Sequence, residues 1–377
     1  MPSFANVTAF ETDEGLVLVD TGGMLIAPQV HAQIRAWSDA PLHTAIYSHG
    51  HVDHVFGVPL FEAEGNGKPH VIAHENVPKR FDRYVLTAGY NAAINQRQFQ
   101  VEGLEWPTDY RYPDETYSHG HSFEVGGERF ELRHAKGETD DYTWTWVPGR
   151  RILCPGDLFI WATPNAGNPQ KAQRYPRDWS QALREMAALD AELMLPGHGL
   201  PVVGAERVRA ALEDTAALLE SICEQALELM NRGLTLDEVI HGVEPPAELI
   251  SKPYLKPVYD EPEFIVRNIW RLYGGWYDGN PANLKPAREA ELAAELAQLA
   301  GGAERLAERA RELAADGADD GALRLAGHLS ELAFRAAPES EAVREVRAEV
   351  NERRAGEATS TMARGIFSWA VAEARKR

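Results

Sequence analysis

The stretch "SHGHVDH" at residues 48–54 constrains this chain more than any other feature. It holds three histidines and one aspartate among small or apolar residues. Thirteen histidines over 377 residues make three within six positions improbable by chance. His49 and His51 stand two apart, so an extended or turning loop points both the same way. Asp53 and His54 are adjacent, and adjacent side chains diverge. One chelating set cannot easily use all four, whereas two neighbouring metal ions could. Imidazole and carboxylate are ligands suited to zinc. The preceding run "TAIYS" (44–48) is β-branched and aromatic. It predicts a buried strand, which gives the loop a rigid base.

A two-metal site needs more ligands, and the chain offers them after other strand-like runs. "KGETDD" supplies Glu138, "CPGD" supplies Asp157 and "LPGHG" supplies His198. Alone, Asp157 is more often a turn residue and His198 a loop histidine. Their order and context make the case.

The first ~200 residues read as alternating strands and helices. "NVTAF", "LVLVD" and "HVIAH" predict strands; "APQVHAQIRAWS" and "NVPKRFDRYVLTAGYNAAI" predict helices. Gly126-Gly127 marks one hairpin turn, and "DYTWTWV-PGR-RILCPGD" predicts a second hairpin. Trp144 and Trp146 alternate along it as packing residues. "SQALREMAALD" predicts a helix and "ELMLPGHG" a strand running into a loop. Near Pro201–Gly204 the character changes. Val208, Leu212, Leu219, Ile222, Ala226 and Leu229 recur at helical steps up to Gly233. "TLDE" (235–238) is a capping-box pattern. Pro262 opens another helix that a Gly pair closes. Residues 286–377 are rich in Ala, Glu, Arg and Leu and predict helical hairpins.

Formal net charge is −19. Bulk electrostatics therefore exclude attraction to nucleic acid or to an anionic membrane. An anionic substrate needs local positive charge. No apolar run approaches the ~20 residues that span a bilayer. The N-terminus lacks the pattern of a signal peptide. Cys154 and Cys223 lie far apart and form no metal knuckle, and Cys154 is expected to be buried and inert. These features predict a cytoplasmic protein, with Met1 taken as the start.

The order His49-x-His51-x-Asp53-His54, then an acidic residue, then Gly-Asp, then Gly-His, resembles the metallo-β-lactamase superfamily. "LVLVDTGG" (16–23) resembles the segment before its metal loop. Glu138 stands where many members have histidine. A glutamate there resembles the alkyl sulfatase branch, whose segment reads Gly-Thr-Glu. "KPVYDEPEFIVRNIWRLYGGWYDGNPANLKP" (256–286) closely resembles the opening of the alkyl sulfatase dimerisation domain. The resemblance covers nearly the whole chain.

It implies an α/β, αββα sandwich as the catalytic domain over 1–203, then an all-α helical dimerisation domain over 204–377. It implies two Zn2+ ions per chain. One takes His49, His51 and Glu138; the other takes Asp53, His54 and His198, with Asp157 as the bridge. Water between the metals is the implied nucleophile, which Asp53 orients as well as binding metal. The implied activity is hydrolysis of a sulfate ester, a small anionic substrate, by a homodimer. The alternative is hydrolysis of another ester or amide: a phosphodiester, lactone, thioester or β-lactam.

Three departures from the sulfatase branch bear on substrate. The lipid-carrier-like C-terminal domain is absent from this sequence. Asp157 stands where that branch typically has a second glutamate. The segment 158–179, "LFIWATPNAGNPQKAQRYPRDW", differs from the segment that binds sulfate there. The start also falls about one strand short. The 158–179 loop leaves directly from Asp157 and reads as a substrate wall. Arg174 or Lys171 would hold an anion, and the aromatics, Trp161, Tyr175 and Trp179, an apolar part. Asn91 or Arg97, in a segment resembling one near the sulfatase active site, could touch substrate. Trp270, Tyr273, Trp276 and Tyr277 predict core or subunit-interface packing.

Overall fold

The structure is a computed structural model that describes residues 5–376. Residues 1–4 and 377, at the two ends of the expected domain ranges, lie outside the described residues, as does the Met1 start. Among the described residues the strands form two sheets. The first holds β1 (Thr8–Thr12), β2 (Gly15–Val19), β3 (Leu42–Ile46), β4 (His70–His74) and β5 (Glu115–Tyr117), in that order. The second holds β6 (Gly120–Val125), β7 (Glu128–Ala135), β8 (Tyr142–Val147), β9 (Ile152–Gly156), β10 (Leu193–Pro196) and β11 (Val202–Val203), again in order. In the first sheet β2 to β5 run parallel. Parallel strands are covered on both faces, and every residue of β2 is buried.

Alternation assigns each face. Val17, Val19, Ile46 and Ile72 of the first sheet meet Val125, Phe130, Leu132 and Val147 of the second in one core. On the far side of the first sheet, Leu16 and Leu18 pack on Val30 and Ile34 of α1 (Ala27–Trp37). Past α2 (Val58–Glu62), Val77 and Phe81 of α3 (Asn76–Leu86) cover Ala45 and Val71. Helix α4 (Ala88–Phe99) follows. On the far side of the second sheet, Tyr142, Trp144 and Trp146 pack on Trp179, Leu183 and Met186 of α5 (Pro176–Ala187). Helix, sheet, sheet, helix is the layer order, the αββα sandwich that the family resemblance implies, and a helical region follows it.

Two local expectations change. The helix expected from Asn76 onward is two helices, broken at Thr87, which sits at φ −112°, ψ 25°. Its hydroxyl donates to the Arg83 carbonyl at 2.8 Å, and β-branched Thr87 is followed by Gly89, a poor helix former. Trp179, expected in a substrate wall, is instead wholly buried in the core, its indole N–H donating to the Leu158 carbonyl at 2.8 Å. Trp144 and Trp146 pack in the same core. Thr235 and Glu238 form the expected capping box, which opens α7 (Leu236–Gly242).

The chain divides into two compact units. One contains the described residues up to Asn91 with Glu105–Gly275; the other contains Ala92–Leu104 with Trp276 onward. The helices after residue 204 are thus shared between them. In the first unit, the stripe of α6 (Ala205–Asn231), with Leu212 and Leu219, extends the core of α5. After α8 (Ala247–Ile250), Ile265, Val266 and Ile269 of α9 (Pro262–Gly274) join that same core. A helix with so wide an apolar stripe is stable only where the stripe is covered. Trp270 packs against this core, while Tyr273 is exposed.

The second unit contains α10 (Pro281–Leu284), α11 (Glu289–Ala300), α12 (Ala303–Leu313), α13 (Asp320–Ala336), α14 (Glu341–Glu357) and α15 (Thr361–Arg375). Ala307, Ala310, Leu323, Ala326, Val343, Val346 and Val350 form its core. Small residues let these helices approach closely. Trp276 and Tyr277 of this unit are exposed. Among the described residues no helix is long and apolar enough to cross a membrane.

Because Ile269 is fully buried in the core of the first unit, Ile269→Ala should destabilise that unit by roughly 2–5 kcal/mol. Calorimetry checks this; an unchanged transition would mean α9 is dispensable to that core.

Candidate metal centre

Strand β3 ends at Ile46, and the chain then turns through 48–54. Asp20, just past β2, holds this loop at both ends. Ser48 N–H and Ser48 Oγ–H donate to its two oxygens at 2.8 Å each, and the His54 ring donates from Nδ1 at 2.8 Å. Gly50 N–H donates to Asp141 at 3.0 Å. A Cβ on Gly50 would come within 2.7 Å of the Arg80 side chain, so glycine is required there. The Ser48 hydroxyl proton is committed to Asp20. Ser48 Oγ can therefore only accept from His49 Nδ1–H, 3.0 Å away. That fixes the tautomer and leaves the His49 Nε2 lone pair facing the site.

The structure gathers all seven sequence-predicted ligands into two donor groups. His49, His51, Glu138 and Asp157 form one; Asp53, His54 and His198 form the other. Within each, one donor atom per residue lies within 4.8 Å of the rest. In the first, His49 Nε2 is 2.8 Å from His51 Nδ1, and His51 Nδ1 is 3.8 Å from Glu138 Oε1. In the second, Asp53 Oδ2 is 3.5 Å from His54 Nε2 and 3.4 Å from His198 Nε2. Asp157 Oδ2 reaches both: 3.8 Å to His49, 3.5 Å to His54 and 3.2 Å to His198. Gly197 passes so close to Asp157 that a side chain there would collide with it. His49, His54, Glu138 and Asp157 are buried, whereas His51, Asp53 and His198 are half-buried and form the open side.

The donors fit a cation. Among the described residues, His54 Nε2 and Asp157 Oδ1 are buried without a hydrogen-bond partner. Leaving such atoms unsatisfied costs about 1–3 kcal/mol each, and a metal ion removes that cost. Burial pushes His49 and His51 well below the usual imidazole range, which keeps their lone pairs available. Burial also pushes Glu138 up to about 7, against the pull of Arg174.

The 158–179 loop supplies the shell around Glu138. Asn165 Nδ2 and Arg174 Nη2 both donate to Glu138 Oε1, the latter at 3.2 Å. Arg174 is buried; its Nη1 donates to the Ala172 carbonyl at 2.8 Å, and its Nε has no partner among the described residues. Lys171 is half-buried, and burial, with Arg174 nearby, lowers it to about 8. Trp161 donates to the Leu200 carbonyl at 2.7 Å. Asn91 is buried in the first unit, whereas Arg97 belongs to the second.

The loop is held from the 255–268 segment. Buried Asp260 accepts from Gly167 N–H at 2.6 Å and Asn168 N–H at 3.2 Å. Thr163 pairs with the carbonyls of Lys256 and Leu255 at 2.9 and 2.6 Å. Asn268 accepts from Arg174 N–H at 3.2 Å and donates to the Arg174 carbonyl at 3.0 Å, as a neighbouring strand would. Sequence reasoning missed Asp260 and Asn268. Their signal is partnership across about 90 residues, which no local pattern carries.

Because Asp157 reaches both donor groups, Asp157→Ala should weaken metal binding at both. His51→Ala should spare the second group. Metal content after dialysis against zinc checks this. Full metal in both variants would overturn the site.

The family profiles agree with this geometry. The profile described as "Metallo-beta-lactamase superfamily" matches residues 1–198, and "Alkyl sulfatase dimerisation" matches residues 235–377. A linear primary-alkylsulfatase from a Pseudomonas species is 29% identical over 323 residues, 78% of this chain and 61% of its own. The 2,4-dinitroanisole O-demethylase subunit alpha of a Nocardioides species is 23% identical over 280 residues, 71% of this chain and 75% of its own. Among solved structures, the stereoselective inverting sec-alkylsulfatase Pisa1 from Pseudomonas superposes with a TM-score of 0.87 at 26% identity, over 99% of this chain and 63% of that one. This chain thus spans less than two thirds of the sulfatases it matches. With the αββα sandwich, the two donor groups and a profile match over more than half its length, the chain belongs to the metallo-beta-lactamase superfamily and carries an alkyl sulfatase dimerisation region.

Proposed function

We propose that the chain is a binuclear zinc hydrolase acting on a sulfate ester. The observation that carries this reading is the pair of donor groups sharing Asp157, with a glutamate in the first. His49, His51 and Glu138 would hold one ion and Asp53, His54 and His198 the other, with Asp157 between them. Ions held there would activate water for attack and neutralise charge on the substrate. The chain's own residues do the rest. Asp53, half-buried on the open side, accepts a hydrogen bond from a water and orients it. Arg174 and Lys171 bind the anionic head, and the unpartnered Arg174 Nε is a donor that such oxygens would satisfy. Asn165 keeps Glu138 in place.

A second reading, cleavage of a different ester, amide or ether, draws on the O-demethylase relative, of which this chain covers a larger share than of the sulfatase above. We further propose a homodimer formed through the helical region, as the name of its profile implies. Cys154 and Cys223 are free and buried, in keeping with a cytoplasmic protein.

Zinc-loaded protein should release inorganic sulfate from a medium-chain alkyl sulfate, and chelation should abolish the release. Two bound ions without sulfate release would turn the assignment to the second reading, tested next with aryl ethers, phosphodiesters and lactones. Light scattering should give about twice the 41.8 kDa of one chain; a mass near one chain would count against the dimer.

A further inference from the structure

Tyr142, the first residue of β8, is fully buried and faces the first donor group. Its ring stacks on His49, with centroids 4.2 Å apart and planes 16° apart. Its hydroxyl lies 3.1 Å from His49 Nε2 and 3.4 Å from Glu138 Oε2. Those two atoms belong to different residues of one donor group, so the phenol stands at its edge. Strand alternation explains the aim, because Tyr142 shares its face with Trp144 and Trp146, yet it alone carries a hydroxyl there. A phenylalanine would fill the same space.

The tautomer of His49 decides what the hydroxyl does. Nε2 carries the lone pair, since Nδ1–H is committed to Ser48. In the chain without an ion the phenol can donate to that nitrogen. Were His49 Nε2 to hold an ion, its lone pair would be in use and Glu138 Oε2 would remain as the acceptor for the phenol. The other oxygen of Glu138 already accepts from Asn165 and Arg174. A carboxylate oxygen keeps a further lone pair for an ion.

We propose that Tyr142 is a positioning residue of the first donor group. Its hydroxyl donates to Glu138 Oε2 when an ion occupies the group, and its ring fixes the plane of His49. The proposal rests on reading that group as an ion site. Donors behind metal ligands typically matter by 10–100-fold in metal affinity.

The test is zinc affinity by chelator competition for the wild type, Tyr142→Phe, Glu138→Gln and the double variant. Tyr142→Phe keeps the ring on His49. It should bind the first ion roughly 10–100-fold more weakly, with the second ion and the melting of the metal-free protein unchanged. On the Glu138→Gln background the same change should add little, because the acceptor is already altered. Wild-type affinity in Tyr142→Phe, or an equal loss on both backgrounds, would overturn the proposal. A wild type that binds no ion at the first group would overturn the ion reading itself, and the proposal with it. A Cu(II)-loaded wild type gives an independent check that needs no variant. Absence of a phenolate charge-transfer band is expected. Its presence would make Tyr142 a ligand and overturn the donor role.

Discussion

One carboxylate holds the donor loop together. Asp20 sits at φ 60°, a left-handed conformation that aspartate tolerates better than most residues. That turn ends β2 and aims both oxygens at the next strand's exit. Ser48 and His54, six residues apart, are tied to it by three hydrogen bonds of 2.8 Å. A buried carboxylate costs several kcal/mol unless compensated. Here the compensation is the loop itself, so the charge and the loop conformation stabilise each other. The same bonds set the chemistry: the bond from His54 Nδ1 frees its Nε2, and the one from Ser48 fixes the tautomer of His49. The donor set therefore depends on a residue that donates nothing to an ion.

Much of this was legible before any coordinates. A β-branched run feeding "SHGHVDH", with Glu138, Asp157 and His198 after later strands, is a pattern of adjacent residues and strand ends, and such patterns survive folding. The strands and hairpins were legible for the same reason, because alternation and glycine pairs are local; their assembly into a sandwich was implied by the family resemblance. What was not legible is pairing at long range. Trp179 reads as a loop aromatic until its partner Leu158 is known. Tyr142 reads as one more strand aromatic until His49 lies under it. The stretch around Asp260 resembles the start of a dimerisation domain, yet in space it fastens the 163–174 loop.

That fastening changes how the helical region is understood. The region matched as dimerisation starts at residue 235, whereas the first compact unit runs to Gly275. Residues 235–275 therefore serve the unit that holds the donor groups. Their contacts are polar and directional. Asp260 satisfies two backbone N–H groups of a buried loop, and Asn268 satisfies both backbone groups of Arg174. Buried loops need partners of this kind, because they have no strand beside them. The helices supply what a sheet edge otherwise would.

The electrostatics then resolve an apparent conflict. A chain of net charge −19 repels an anion at long range. Within the site the balance differs. Two divalent ions against the carboxylates of Asp53, Glu138 and Asp157 would leave one positive charge, flanked by Arg174 and Lys171. A histidine in place of Glu138 would make that centre more positive. Glutamate therefore moderates the charge, and Asn165, Arg174 and Tyr142 supply the donors that let it remain buried. Screening limits the bulk repulsion to about 8–10 Å at physiological salt, so the local field governs the last approach of a small anion. Under the reading proposed above, a centre of modest positive charge would suit a singly charged ester, held firmly enough to react and loosely enough for its anion to leave.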